Sequence, residues 1–423
     1  MERRDQTRAW ILHPDRKDLH ARRKPEDALA EALALAGALP GIEVAGGEIV
    51  RLPKAQAGML FGSGKIEELK NRFAENEIAL VFVDGPVSPV QQRNLERAWK
   101  VKLLDRTGLI LEIFANRART REGVLQVELA ALSYQRTRLV RAWTHLERQR
   151  GGLGFVGGPG ETQIEADRRA IDEEVVKIRR QLSKVVKTRE LHRAARRKVP
   201  FPIVALVGYT NAGKSTLFNR MTGADVLAKD MLFATLDPTM RGVTLPSGRK
   251  VILSDTVGFI SELPTHLVAA FRATLEEVLE ADLILHVRDI SHAESDGQAR
   301  DVHAILESLG VDEDVPQIEV WNKIDLLAPD RRQALLAVDA RTPESHAVSA
   351  LTGEGLTALF AAISDILDEE RQETELHLDF GAGRQRAWLH EAGVVQEESD
   401  GETGHRIRVR WTPRQRAAFL KLR

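Results

Sequence analysis

Gly208-Tyr209-Thr210-Asn211-Ala212-Gly213-Lys214-Ser215 spells G-x-x-x-x-G-K-S, between the apolar run Ile203 to Val207 and the helix-like Thr216 to Met221. That order dictates a strand, a loop that cradles phosphate and a helix. The glycines let backbone N–H groups turn inward around phosphate oxygens, and the helix N-terminus directs partial positive charge at the same anion. Gly208, Asn211, Ala212, Gly213 and Thr216 are therefore expected to line a nucleotide. Lys214 is expected to reach its β- and γ-phosphates, and Ser215 to ligate Mg²⁺. Strands Ile203 to Val207, Val251 to Ser254, Leu283 to Val287, Ile318 to Trp321 and Ala347 to Ser349 alternate with helical stretches through about Leu367, which makes the fold class α/β.

Downstream motifs define the nucleotide. Asp255-Thr256-Val257-Gly258 follows a strand, so the Asp255 carboxylate can hold Mg²⁺ through water and the Gly258 N–H can face a γ-phosphate. Between it and the P-loop, Thr235 in Phe233 to Thr239 supplies a hydroxyl that completes the metal shell only while the γ-phosphate is present, which is switch chemistry. Asn322-Lys323-Ile324-Asp325 selects the base: Asp325 can accept from guanine N1–H and its amine, a pair adenine cannot supply. Leaving such buried groups unpaired rejects the wrong base by a factor on the order of 10⁴. Ser349-Ala350-Leu351 follows another strand and would bring the Ala350 N–H to guanine O6. Phe61-Gly62-Ser63-Gly64-Lys65 lacks the distant first glycine of a P-loop and reads as a strand-to-helix turn.

A chain of 423 residues exceeds what one core usually organises. Upstream, apolar runs (Trp10 to Leu12, Ala79 to Val83, Val101 to Leu104) alternate with helical stretches (Pro25 to Leu39, Lys65 to Glu75), a second parallel arrangement. From Gly123 the period changes: Leu125, Leu132, Leu139 and Leu146 recur every seven residues. After the glycine-rich Gly151 to Gly160, Ile164, Ile171, Ile178 and Val185 repeat the spacing, which predicts an antiparallel helical hairpin. Pro200 and Pro202 close it, and the segment from Glu373 reads as strand, helix, strand, strand, helix. The expected organisation is an N-terminal α/β domain (1–116), a hairpin (117–199), a G domain (200–370) and a small α+β C-terminal domain (371–423). With no cysteine, disulfides and thiolate zinc sites are excluded. The absence of a long apolar run predicts no membrane span and a cytoplasmic protein.

The net charge is −1, yet Arg117 to Arg150 holds eight arginines against three glutamates. Arginine pairs with phosphate and stacks on bases, so this hairpin is a candidate RNA-binding element. Arg138 and Arg141 would bind there, and Gly154, Phe155, Gly157 and Gly158 would bring backbone and a stacking ring close to nucleic acid.

Three upstream segments, Asp105 to Phe114, Glu122 to Ala130 and Gly157 to Arg169, together with the motifs above, resemble the HflX family of translational GTPases. Many members carry arginine where this chain has Gly157. The resemblance implies a P-loop GTPase with GTP or GDP as nucleotide and Mg²⁺ as cofactor. It also implies a protein acting on the large ribosomal subunit and its rRNA, which dissociates stalled or idle ribosomes under stress; the heptad leucines, read as the hairpin's own core rather than a dimer seam, predict a monomer. A ribosome-assembly GTPase and a signalling switch gripping a protein are the alternatives. Glutamine after D-x-x-G often orients the attacking water, whereas here Phe259 stands, so slow intrinsic turnover is expected.

Overall fold

This computed structural model describes residues 6–16, 23–53, 55–149, 159–196, 201–224, 233, 239–261, 277–312, 314–367, 372–401, 404–411, 413–420 and 422. Side chains at 139–149, 159–164, 186–196, 413, 414 and 417 lie outside that set.

The first sheet is fully parallel, in the order β2 (Ile42–Leu52), β1 (Thr7–Arg16), β3 (Leu80–Val83), β4 (Lys102–Asp105). Helices α1 (Pro25–Gly37), α2 (Ser63–Glu75) and α3 (Pro89–Trp99) make the crossovers that parallel pairing requires. Their starts follow local chemistry. Pro25 opens α1 ahead of Glu26 and Asp27, and Ser88 with Gln91 forms a capping box on α3. Strand β2 goes unforeseen because Gly46 and Gly47 break its apolar alternation. The Trp10 ring requires that break: a Cβ at Gly46 would lie 2.7 Å from it.

Asp105 caps α4 (Arg106–Arg117), accepting from the Gly108 N–H at 2.8 Å. The long helices α5 (Arg121–Gln149) and α6 (Pro159–Arg196) follow and pack together, with Arg136 paired to Asp172 at 2.8 Å. Val175 and Ile178 are buried, and so is Leu125. α5 and α6 are packed against each other, and the base of α5 also sinks Val127 and Ala130 into the apolar cluster containing α4.

The second sheet runs β10 (Ser345–Ala347), β9 (Gln317–Asn322), β8 (Leu283–Asp289), β5 (Ile203–Gly208), β7 (Lys250–Asp255), β6 (Thr239–Thr244). Only the edge strand β6 is antiparallel, to β7. Helices α7 (Lys214–Thr222), α8 (Ser295–Leu309), α9 (Pro329–Asp339) and α10 (Leu356–Leu367) connect the strands. Strand order reverses at β5, so its C-terminal end opens on a crevice, the usual place for a ligand in such sheets. β10 ends two residues earlier than expected, at Ala347. Ser349 leaves the strand for a tight turn, its N–H donating to the Glu354 carbonyl at 3.0 Å.

The last unit has the expected order: β11 (Gln372–Asp379), α11 (Gly383–Glu391), β12 (Val395–Asp400), β13 (Gly404–Trp411), α12 (Pro413–Leu420). Its antiparallel sheet is ordered β11-β13-β12. Along β13, Ile407, Val409 and Trp411 point into the core, while Arg406 and Arg408 pair with Glu375 and Glu397.

The first two sheets share one apolar cluster, in which Ile11, Phe82, Ile113 and Phe114 join Tyr209, Val257, Phe259, Ile284 and Val302. Phe114 meets Phe233 edge-on, centroids 4.6 Å apart. Among the described residues, no helix is long and apolar enough to cross a membrane.

Candidate nucleotide site

β5 delivers the chain into the P-loop under tight steric control. Gly208 has φ 151°, and a Cβ there would lie 2.2 Å from the Val287 carbonyl oxygen. Gly213 has φ 92°, and a Cβ would meet Asn322 Nδ2, also at 2.2 Å. Both positions therefore exclude every other residue. α7 begins at Lys214, so its free N–H groups face the loop's concavity. Lys214 is buried and donates to the carbonyls of Gly208 at 3.0 Å and Tyr209 at 2.8 Å. Burial pushes its ammonium down to about 8, with the Asp255 carboxylate acting the other way.

Ser215 Oγ donates to Asp255 Oδ2 at 2.7 Å, and Asp255 is fully buried at the end of β7. Two hard oxygens so close, beside a phosphate cradle, suit a magnesium ion. Gly258 crosses the loop so closely that a Cβ would lie 2.9 Å from Thr210 Cα and 3.0 Å from Lys214 Nζ. Phe259 is buried; its N–H donates to the Gly208 carbonyl at 3.1 Å and its carbonyl accepts from the Thr210 N–H at 2.7 Å. The D-x-x-G segment and the P-loop are thus joined backbone to backbone, and the phenyl ring faces core rather than a water.

On the base side, Asn322 is a buried clamp. Its amide donates to the Ala212 carbonyl at 2.8 Å, and its Oδ1 accepts from the Ala350 N–H at 2.9 Å. Lys323, at φ 67°, pairs with Asp289 at 2.8 Å. Ser349 Oγ donates to Asp325 Oδ1 at 2.5 Å, which leaves the other carboxylate oxygen for a ligand. The Ala350 amide, expected at guanine O6, donates here to Asn322 and so ties the two base-side loops together.

Arg138 also departs from expectation. Its guanidinium turns inward, pairing with Asp105 at 2.9 Å, donating to the Val87 carbonyl at 3.3 Å and to Tyr134 Oη at 2.5 Å, and contacting Gln92. In this arrangement it anchors α5 to the first sheet. Thr235, Gly154, Phe155, Gly157 and Gly158 lie outside the described residues, as does the Arg141 side chain. Lys65 of the upstream glycine turn is paired with Glu48 at 2.7 Å and Glu68 at 2.8 Å.

Sequence reading misses a buried polar cross-link behind the site. Tyr209, inside the P-loop, donates to Glu31 of α1 at 2.5 Å and accepts from the Ser261 N–H at 2.7 Å. Arg106 donates to Glu31 and Asp84, both at 2.5 Å, and to the Ser261 carbonyl at 2.9 Å. Burial opposes charge on Glu31, but Arg106 and Arg23 outweigh it and hold that carboxyl below its ordinary range. The first sheet thereby grips both the P-loop and the segment after Gly258. Partners so distant in sequence leave no local signal; the one hint is that Arg106 opens a segment that carries the family resemblance.

Four family models match in succession: GTP-binding GTPase N-terminal over 26–115, GTP-binding GTPase Middle Region over 117–196, 50S ribosome-binding GTPase over 203–323, and HflX C-terminal domain over 334–421. GTPase HflX of Magnetococcus marinus is 51% identical over 86% of this chain and 83% of the relative. The Escherichia coli GTPase HflX is 45% identical over 82% of each chain. That of Caldanaerobacter subterraneus is 47% identical over 83% of this chain and 80% of its own. With a P-loop, a buried carboxylate beside it and a guanine-type motif drawn together at the C-terminal ends of the strands, this chain belongs to the HflX family of GTPases.

Proposed function

We propose that this GTPase binds the large ribosomal subunit and, in its GTP form, dissociates stalled or idle ribosomes under stress, with hydrolysis releasing the factor. The observation that carries the reading is kinship with HflX proteins over most of the chain, including a G domain matched as a 50S ribosome-binding GTPase. The arginine-rich segment from Arg117 to Arg150, on a chain of net charge −1, supplies the positive surface that rRNA would select.

In this reading Gly208, Asn211, Ala212, Gly213 and Thr216 line the phosphates and Lys214 meets the β- and γ-oxygens. Ser215, Asp255 and Thr235 hold magnesium, whose charge would offset that developing on the phosphate oxygens. The Gly258 N–H faces the γ-phosphate. Asn322, Lys323 and Asp325 take guanine, with Ser349 fixing the Asp325 carboxylate. Phe259 offers no group to orient water, so intrinsic turnover is slow and rises when ribosomes order the switch segments.

Sedimentation of intact ribosomes on sucrose gradients tests the function. With protein and a non-hydrolysable GTP analogue the ribosome peak should collapse into subunits, with the protein on the large one; with GDP it should persist. Intact ribosomes under both conditions would defeat the splitting reading, and accumulation only on immature large particles would favour ribosome assembly.

A further inference from the structure

In the second sheet, beneath α8, sits a cluster the nucleotide chemistry does not use. Parallel register places His286 of β8 directly beside Glu319 of β9, and α8 lays His303 over the pair. One ligand atom from each residue lies within 4.8 Å of the others. The imidazoles meet edge-on, centroids 4.9 Å apart and planes at 89°. We propose that His286, His303 and Glu319 form a site for a divalent transition ion of the Zn²⁺ class, joining α8 to β8 and β9.

The independent pointer is His286. It is 1% exposed, and its Nδ1 has no hydrogen-bond partner among the described residues. A buried imidazole nitrogen without a partner is costly and in a native structure requires an explanation; a metal lone-pair acceptor provides one. Glu319 is already oriented, since its Oε2 accepts from Arg288 at 2.8 Å and from Trp321 Nε1 at 2.9 Å, while Oε1 remains for the ion. Ligating carboxylates characteristically carry such outer hydrogen bonds. Arg288 also pairs with Asp296, so its positive charge is matched and Glu319 keeps its attraction for a cation. Two imidazoles with one carboxylate select borderline ions over Mg²⁺. His303 is exposed, so a fourth position opens to solvent, as in zinc sites with three protein ligands.

The test is Zn²⁺ titration of the full chain by calorimetry, with GDP and excess Mg²⁺ occupying the P-loop, together with thermal melting. His390 of α11 and His405 of β13 also lie beside Glu398, and histidines elsewhere on the chain can take up Zn²⁺ weakly. The difference between variants, not total uptake, is therefore the readout. His303→Ala, at an exposed position, and Glu319→Gln should each weaken one Zn²⁺ site at least tenfold, the lower end of the roughly 10–100-fold cost of disturbing even a ligand's outer partner. Zn²⁺ should raise the melting temperature of the wild type more than that of His303→Ala. Equal Zn²⁺ affinity and stoichiometry in the wild type and both variants would overturn the site.

Discussion

At the residue scale, Lys214 couples nucleotide binding to protons. Burial lowers its folded pKa from 10.5 to about 8, so charge on this ammonium opposes folding below about 8. That penalty fades as pH rises from about 8 to 10.5, where the unfolded chain holds the proton more tightly. Phosphate oxygens supply the missing counter-charge, so GDP should restore the proton. Calorimetry at pH 8.5 in buffers of different ionisation enthalpy should therefore show net proton uptake on GDP binding, falling towards zero by pH 7. Uptake that does not change between these pH values would refute the linkage. At the other end of the site, Asp325→Asn replaces an acceptor by a donor that suits the O2 of xanthine. Competition binding should show guanine affinity falling by a factor on the order of 10⁴ and xanthine nucleotides favoured instead. Unchanged GDP affinity would remove Asp325 from base recognition.

At the scale of elements, what joins α1, β3, α4 and the P-loop is Arg106. Removing it leaves Glu31 with Arg23 and Asp84 with His13 as their remaining ionisable partners, and takes away the buried cation the two carboxylates share. Arg106→Ala should therefore cost about 3–5 kcal/mol in denaturant unfolding, the range for breaking one side of a buried ion pair. A loss under about 1 kcal/mol would show the network to be solvated. Nothing in the spacing of Glu31, Asp84, Arg106 and Tyr209 announces this lock, because each looks locally like an ordinary charged or aromatic residue. The P-loop is legible for the opposite reason: its constraints are local, a strand, two sterically obligatory glycines and a helix start within a short stretch. The strand β2 escapes notice because Gly46 makes room for Trp10, a tertiary demand that erases the local pattern. Edge strand β6 escapes too, since Thr239–Thr244 is partly exposed and shows little apolar alternation. Periodicity finds α5 and α6 but cannot tell that the base of α5 belongs to the first domain's core, because both partners want the same apolar stripe.

For the whole molecule, a chain of net charge −1 has no general attraction for RNA, so binding to a ribosome must draw on uneven charge. Arg117 to Arg150 holds eight arginines, of which Arg138 is already engaged by Asp105 and Tyr134. Arg141 and Arg148 follow farther along α5 and are the better test. Arg141→Glu with Arg148→Glu should weaken large-subunit binding and reduce its dependence on salt, by roughly one unit of log-log slope for each phosphate that is no longer neutralised. GDP affinity should stay unchanged, because neither residue belongs to the P-loop or the base motif. Arg138→Glu should act differently: it places a carboxylate against Asp105, so its first effect is a lower melting temperature, with any loss of ribosome binding following from instability. Sedimentation binding at several salt concentrations, run beside thermal melts of both variants, separates the two. If the double variant kept the wild-type salt slope, electrostatic docking through α5 would be abandoned, and the partner surface would have to be sought elsewhere on the molecule.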